Sequence, residues 1–317
     1  QRPRHIAAAP DCGASRVPRD APAFHSRRSR SISIPMKIDL IALDLDDTLL
    51  NSRLDISEGN RRAIVAAENA GIEIVLATGR NYAGVKKYIP LLDLGRKGNY
   101  LVCSNGAEIL EAATGVSVER LTLSRDFCHE ASAFIDSENL PWQVYMDGKI
   151  FCSRINDWAL MDEKITGQAL FEAGPRDSLF ENGQVKFVVP GEPERIAELY
   201  KKARPRFRGK AEIVTSKPYF MEILPLGADK GSALRRLTKK LGISMEHVMA
   251  IGDAMNDLTM IREAGWGCAP SNALEKIKAN ARHVSEKSHD QDAVADLIYA
   301  IALRKDPSNA TADLEIA

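Results

Sequence analysis

Four short stretches carry side chains whose types and spacing suit the handling of a phosphoryl group: Asp44-Leu45-Asp46-Asp47-Thr48, Ala77-Thr78-Gly79-Arg80, Asp229-Lys230-Gly231 and Gly252-Asp253-Ala254-Met255-Asn256-Asp257. In extended backbone, side chains at i and i+2 point the same way, so Asp44 and Asp46 face one site while Leu45 packs behind them. Two carboxylates side by side repel unless something positive lies between them. Read alone, the pair fits a solvated acidic turn equally well. In the second stretch Thr78 offers a hydroxyl, Gly79 lets the backbone approach closely and Arg80 suits an anion. By itself that stretch reads better as a strand-to-helix turn with Thr78 as the cap. Lys230 opens a helical pattern with Leu234, Leu237 and Leu241 at helix spacing. A lysine in the first turn opposes the helix dipole unless it and the backbone N–H groups share an anion. The plainer alternative is Asp229 as cap and Lys230 reaching into water. The fourth stretch adds Asp253 and Asp257, with Asn256 or Asp257 suited to start a helix.

The elements that would position these groups follow from the runs around them. Residues Ile38 to Leu45, apolar except for Asp39 and Asp44, read as a buried strand, and so do Ile72 to Leu76 and Val248 to Ile251. Further strands are expected at Tyr100 to Ser104 and around Gly267 to Ala269. Helices are expected from Ser57, as cap, to Gly71 and from near Asn81 to Ile89. Such alternation specifies a doubly wound parallel sheet, an α/β core of Rossmann type. Parallel strands bring their C-terminal ends together. The four carboxylates of Asp44, Asp46, Asp253 and Asp257 would then meet there and call for a hard divalent cation with oxygen ligands, for which Mg²⁺ fits.

Between about Val118 and Met221 the rhythm changes to hairpins. Asp147-Gly148 between Trp142–Met146 and Lys149–Cys152 is a type I′ turn signal. A helix is expected over Asp157 to Leu170, a strand over Val185 to Val189, a helix over Pro193 to Ala203, and two strands either side of Lys217-Pro218. That is an inserted α+β domain. The expected division is residues 1–35 as a basic extension, 36–117 and 222–317 as the core, and 118–221 as the insert. Trp142, Tyr145 and Tyr219 could line a pocket, although aromatic strand residues more often belong to a core.

From Met36 onward the chain resembles the haloacid dehalogenase superfamily of phosphatases, and within it the Cof-type sugar-phosphatase branch with a large cap. Ser104-Asn105-Gly106-Ala107 after a strand and Ser271-Asn272-Ala273 before a helix extend the likeness. The resemblance implies that Asp44 attacks phosphorus to form an aspartyl-phosphate, while Asp46 protonates the leaving alcohol and then activates water. It implies phosphate binding by Thr78, Gly79, Lys230 and Asn256. Mg²⁺ would be held by Asp44, Asp46 through its backbone carbonyl, and Asp253, with Asp257 supporting the metal site. Arg80 and Asn105 would neighbour the substrate, and the cap would close over the site and set specificity. The bottom-up reading is consistent: a carboxylate serves as nucleophile only when cations neutralise the phosphate, and an acid at i+2 can reach the leaving oxygen. Asp46 separates the chain from dehalogenases, which resemble the motif but lack this acid. The superfamily's transport ATPases have lysine where Leu45 stands and threonine where Asp46 stands. Two departures are local: Ala254 where glycine or serine is common, and Asp292-Ala293-Val294 where the family usually has Asp-Gly-Val. A phosphomutase of the same superfamily and a non-catalytic phosphate-binding regulator are the rival readings.

The composition bounds the rest. The 317 residues exceed usual single-domain length. Residues 1–35 hold seven arginines and two aspartates; removing them from 43 basic and 43 acidic residues leaves 36 against 41, a net charge of −5. That balance does not suit nucleic acid, and the expected partner is the small phosphate ester that the resemblance implies. The arginine- and serine-rich start resembles a transit peptide, although the chain begins with Gln1 and Met36 is the better functional start. No stretch reaches the roughly 18 apolar residues of a membrane span. Five cysteines without metal spacing read as free thiols in a reducing compartment. The expected location is therefore cytoplasmic, or organellar if the extension is a true transit peptide. The oligomeric state is not legible.

Overall fold

The computed structural model describes residues 37–95 and 98–304. The expectations for residues 1–35 lie outside these.

The first strand, β1 (Leu40–Leu43), is buried on both faces, and the chain leaves extended pairing at Asp44. The expected strand over 38–45 is therefore shorter. β2 (Glu73–Ala77), β3 (Tyr100–Cys103), β4 (Glu108–Glu111) and β5 (Ser117–Arg120) follow on one side of β1. Six strands form a second sheet: β6 (Gln143–Met146), β7 (Lys149–Cys152), β8 (Leu170–Glu172), β9 (Phe187–Pro190), β10 (Ala211–Lys217) and β11 (Phe220–Pro225). The chain then returns with β12 (Val248–Ile251), β13 (Trp266–Ala269) and β14 (His283–Val284) on the other side of β1. The first sheet has the order β14-β13-β12-β1-β2-β3-β4-β5, parallel from β14 to β3, with β4 and β5 antiparallel.

Alternation along β1 explains the two-faced burial. Ile41 and Leu43 join one apolar cluster, with Leu76 and Ile251; Leu40 and Ala42 join the other, with Leu234 and Leu237. The helix Glu58–Asn69 starts where Ser57 accepts a hydrogen bond from the Asn60 N–H, and stops two residues before Gly71, whose φ of 81° turns the chain. The helix Lys230–Leu241 starts where Asp229 accepts from the Ser232 N–H, and ends at Gly242. This is the doubly wound α/β core. Because the chain runs outward from β1 in both directions, the crevice at the C-terminal end of β1 is the switch point where such sheets bind ligands.

The second sheet, in the order β10-β11-β9-β6-β7-β8, has its own core around Trp142, Phe180, Phe187 and Phe207. Asp147 and Gly148 have φ values of 52° and 72°, the pair of positive angles a type I′ hairpin requires. Several details differ from expectation. The helix from Asp157 stops at Thr166, not Leu170, because Gly167 takes a left-handed cap and frees Leu170 to begin β8. The helix from Pro193 runs on to Arg206, and near Asn81 only the turn Tyr82–Val85 is α-helical before tighter turns take over. The helix Arg125–Ser137 was not expected. Residues 118–120, expected in the insert, pair within the first sheet, whereas 222–225, expected in the core, belong to β11 of the second. Ladder pairing holds each segment beyond the point where the hydrophobic rhythm changes.

Candidate active site

Three of the four motif stretches begin where a parallel strand ends. After β1, Asp44 keeps one ladder contact, its N–H donating to Ile251 O at 3.0 Å, and the residue is buried. After β12, Gly252 precedes Asp253; a Cβ on Gly252 would lie 2.5 Å from the Asp257 carboxyl carbon, so only glycine lets this turn close on Asp257. Asp257 Oδ2 accepts the N–H groups of Asp253 and Ala254, both at 3.0 Å, and so holds the loop. The helix begins later than expected, at Leu258 after a single tight turn, Met255–Asp257.

Lys230 joins these loops. Its ammonium is fully buried and donates to Asp44 Oδ1 at 2.5 Å and to Asp257 Oδ1 at 2.6 Å. Asp253 Oδ1 accepts from the Thr48 hydroxyl at 2.9 Å. Carboxylate oxygens of Asp44, Asp253 and Asp257 lie within 4.8 Å of one another, so three acids cluster around a single lysine that pairs with two of them. The excess negative charge governs their protonation. Burial pushes the Asp44 carboxyl well above the usual range, with Asp257 adding to the effect and Lys230 opposing it. Burial and Asp257 push Asp253 up to about 7. Burial disfavours the Lys230 ammonium, but Asp257 and Asp44 outweigh that and raise its pKa. Two uncompensated charges on oxygen ligands in a buried pocket fit a hard divalent cation.

Asp46 stands apart from this cluster. Both its oxygens are taken by Arg80, which donates from Nε at 2.9 Å and from Nη2 at 2.6 Å. Burial would raise the Asp46 carboxyl, but the Arg80 fork and charge, with Lys217, hold it below the usual carboxylate value. This corrects the expected grouping of Asp46 with the metal-facing acids: its side chain is drawn to the guanidinium, and only its backbone remains as an expected ligand. Arg80, expected merely near the substrate, is the closest partner of Asp46.

The other expected residues fall into two layers. Gly79 and Asn256 line a cavity of about 380 Å³ together with Asp44, Asp46, Arg80 and Asp253. Thr78, fully buried, accepts from the Arg80 N–H at 3.1 Å. Asn256 Nδ2 donates to Asn105 Oδ1 at 3.0 Å, and Asn105 Nδ2 donates to Glu222 Oε2 at 2.9 Å. The cavity's other wall comes from the second sheet, with Tyr145, Lys217 and Glu222, from Lys186 just before β9, and from Asp162 on the helix Asp157–Thr166. Only Tyr145 among these was considered from sequence. Glu222 within the apolar run Phe220–Leu224 and Lys186 just before Phe187-Val188-Val189 did carry a signal, since a charge inside an apolar strand needs a buried partner. Lys186 Nζ donates to Gly79 O at 2.9 Å and to Glu222 at 3.4 Å. Of the aromatics, Trp142 is core, Tyr145 faces the cavity, and Tyr219 stacks on Trp158 with ring centroids 4.9 Å apart.

Residues 41–298 match the family model described as haloacid dehalogenase-like hydrolase. The chain belongs to that family. A 5-amino-6-(5-phospho-D-ribitylamino)uracil phosphatase of Bacillus subtilis (strain 168) is 32% identical over 82% of this chain and 94% of its own length. An HMP-PP phosphatase of Yersinia pseudotuberculosis serotype O:1b (strain IP 31758) is 29% identical over 75% of this chain and 86% of its own. The crystal structure of a haloacid dehalogenase-like hydrolase from Bacteroides thetaiotaomicron superposes with a TM-score of 0.77 at 29% identity, covering 84% of this chain and all of that one. These likenesses make the chain an enzyme of the phosphatase kind, and the expected family and α/β fold are borne out.

A pH effect follows from the acid cluster. Asp253 binds its proton more tightly folded than unfolded, so without a cation its contribution to stability is fully present below pH 4, is lost as pH rises towards about 7, and then levels off. The slope contributed by one such group approaches about 1.4 kcal/mol per pH unit. Denaturant unfolding in chelator should show this fall in the wild type and a shallower one in Asp253→Asn; identical slopes would contradict the assignment.

Proposed function

We propose that the protein is a Mg²⁺-dependent phosphomonoesterase acting on small phosphorylated metabolites through an aspartyl-phosphate at Asp44. The supporting observation is the meeting of Asp44, Asp253 and Asp257 around Lys230 at the switch point of the sheet. Mg²⁺ would be held by Asp44 and Asp253, with Asp257 behind them and the Asp46 carbonyl as a further ligand, and would supply charge neutralisation at the phosphoryl oxygens. Lys230 keeps Asp44 oriented and adds a fixed positive charge beside it. Thr78, Gly79 and Asn256 would bind the phosphoryl oxygens.

In the first half-reaction an Asp44 oxygen forms a bond to phosphorus as the ester P–O bond breaks, and the leaving oxygen takes a proton from Asp46. In the second, Asp46 removes a proton from water, whose oxygen attacks phosphorus, releasing inorganic phosphate and restoring Asp44. With the pocket unliganded, Arg80 holds Asp46 ionised, the form that suits the second half-reaction. An entering phosphate dianion raises the pKa of a nearby carboxyl and so favours the protonated form that the first half needs.

The second sheet then acts as a cap that excludes water and contacts the leaving group. Small substrates are consistent with the cavity volume and with the metabolites for which the two relatives are named. Among the described residues no helix is long and apolar enough to cross a membrane. Cys103, Cys128, Cys152 and Cys268 are buried free thiols, which supports a reducing, cytoplasmic setting.

The test is phosphate release from a broad panel of phosphorylated metabolites, with Mg²⁺ or with chelator. Release that is lost in chelator and restored by Mg²⁺ is the expected result. No release from any compound with Mg²⁺ present would overturn the proposal.

A further inference from the structure

The carboxylates lining the cavity are Asp44, Asp46, Asp47, Asp162, Glu222 and Asp253. Four have a cation within ion-pair distance: Asp44 has Lys230 at 2.5 Å, Asp46 has Arg80 at 2.6 Å, Asp47 has Lys217 at 2.6 Å and Glu222 has Lys186 at 3.4 Å. Asp253 belongs to the acid cluster at the end of β1 and β12. That leaves Asp162. Among the described residues no lysine, arginine or histidine pairs with it, although it is 5% exposed.

Its partners are neutral. Tyr145 donates its hydroxyl to Asp162 Oδ2 at 2.5 Å, and Gln143 donates Nε2 to the same oxygen at 3.1 Å. Both donors sit on β6, and Asp162 lies on the helix Asp157–Thr166, on the buried face it shares with Ala159. One oxygen is therefore fixed from behind by two strand side chains, which leaves Oδ1 for whatever enters the cavity. Ile165 and Val188 contribute apolar lining to the same cavity, and the charged groups beside them, Lys186 with Glu222 and Lys217 with Asp47, are already paired with one another, so Asp162 is the acceptor on this wall without an ion-pair partner. A buried carboxylate with no cation in ion-pair contact is costly, and the group that relieves it is a cation or a strong N–H donor. An incoming carboxylate would meet repulsion instead.

Resting on the phosphomonoesterase reading, we infer that Asp162 is a specificity determinant that accepts a hydrogen bond from an amino group on the leaving portion of the substrate. The preferred substrates are thus amine-bearing phosphate monoesters, and carboxylate-bearing ones are disfavoured. Asp162's side chain bonds to Gln143 and Tyr145 and to none of the metal-facing acids. Its contribution therefore belongs in KM, not in the chemical step.

The experiment measures kcat and KM, with Mg²⁺, for matched esters that differ in this group: glucosamine 6-phosphate, glucose 6-phosphate and 6-phosphogluconate, and likewise phosphoethanolamine against phosphoglycolate. 4-Nitrophenyl phosphate is the reference without either group. The wild type should favour the amine over the carboxylate in both series. Asp162→Asn, which keeps an acceptor for Tyr145, should cut that preference about 10- to 100-fold through KM, while 4-nitrophenyl phosphate, which carries neither group, changes by less than the amine esters do. A wild type that favours the carboxylates overturns the inference without recourse to any variant. So does an Asp162→Asn enzyme that slows every ester by one common factor. Absence of turnover on all compounds, 4-nitrophenyl phosphate included, is the distinct result that removes the phosphomonoesterase reading itself.

Discussion

Asp44→Asn is expected to lower turnover by about 10⁴-fold or more while leaving the protein folded, since a nucleophile that acts covalently has no substitute nearby. The amide keeps the shape of the carboxylate, and its oxygen can still accept the Lys230 ammonium now 2.5 Å away. It also removes one negative charge from a buried cluster of three acids in which Lys230 pairs with two, a cluster that burial and the neighbouring acids push towards protonation. In chelator the variant should therefore melt at or above the wild-type temperature. Kinetics and thermal unfolding on the same preparation check both halves. Undiminished turnover would refute the assigned nucleophile, and a markedly lower melting temperature would refute the charge balance on which it rests.

Lys230→Ala is expected to damage stability and rate together. Its ammonium is the one cation within ion-pair distance of both Asp44 and Asp257 among the described residues, and neither its own side chain nor that of Asp257 has any exposure. Removing it strands two buried carboxylates, a change that costs about 3–5 kcal/mol where a buried pair is broken. Loss of a fixed charge beside the transferring phosphoryl group costs about 10²–10³ in rate. Denaturant unfolding reads the first effect, and kcat on the folded fraction reads the second. A near-wild-type rate would reduce Lys230 to a structural ion pair. The two variants thus differ in their expected effect on stability although both alter the same 2.5 Å contact: one keeps an acceptor for the ammonium and the other removes the ammonium.

How much of this was legible in sequence depends on the range of the interaction that fixes each feature. Strand β12, the cap at Ser57 and the turn at Asp147-Gly148 are set by local pattern and backbone preference, and they appear where the residues indicate. The convergence of Asp44, Asp253 and Asp257 is also readable, because parallel strands place their C-terminal ends together. The fate of Asp46 is not. Alternation along the backbone aims Asp44 and Asp46 to one side, but the fork of Arg80, 34 residues away, decides which site Asp46 serves. The short strand β8 was absorbed into the preceding helix, since Gly167 by itself does not reveal that β7 will offer an edge for Leu170 to join. Asp162 gave no signal at all. On a helix carrying other acids it resembles a solvated residue, and only packing against Gln143 and Tyr145 shows it to be buried.

The covalent role of Asp44 is tested most directly by mixing the enzyme and Mg²⁺ with a substrate carrying a radiolabelled phosphoryl group, quenching in acid within the first turnover, and mapping the label by peptide mass spectrometry. Labelled phosphate on the peptide containing Asp44, absent in Asp44→Asn, is the predicted result. Free phosphate accumulating from the first turnover, with no label on the protein at any time, would contradict an aspartyl-phosphate mechanism.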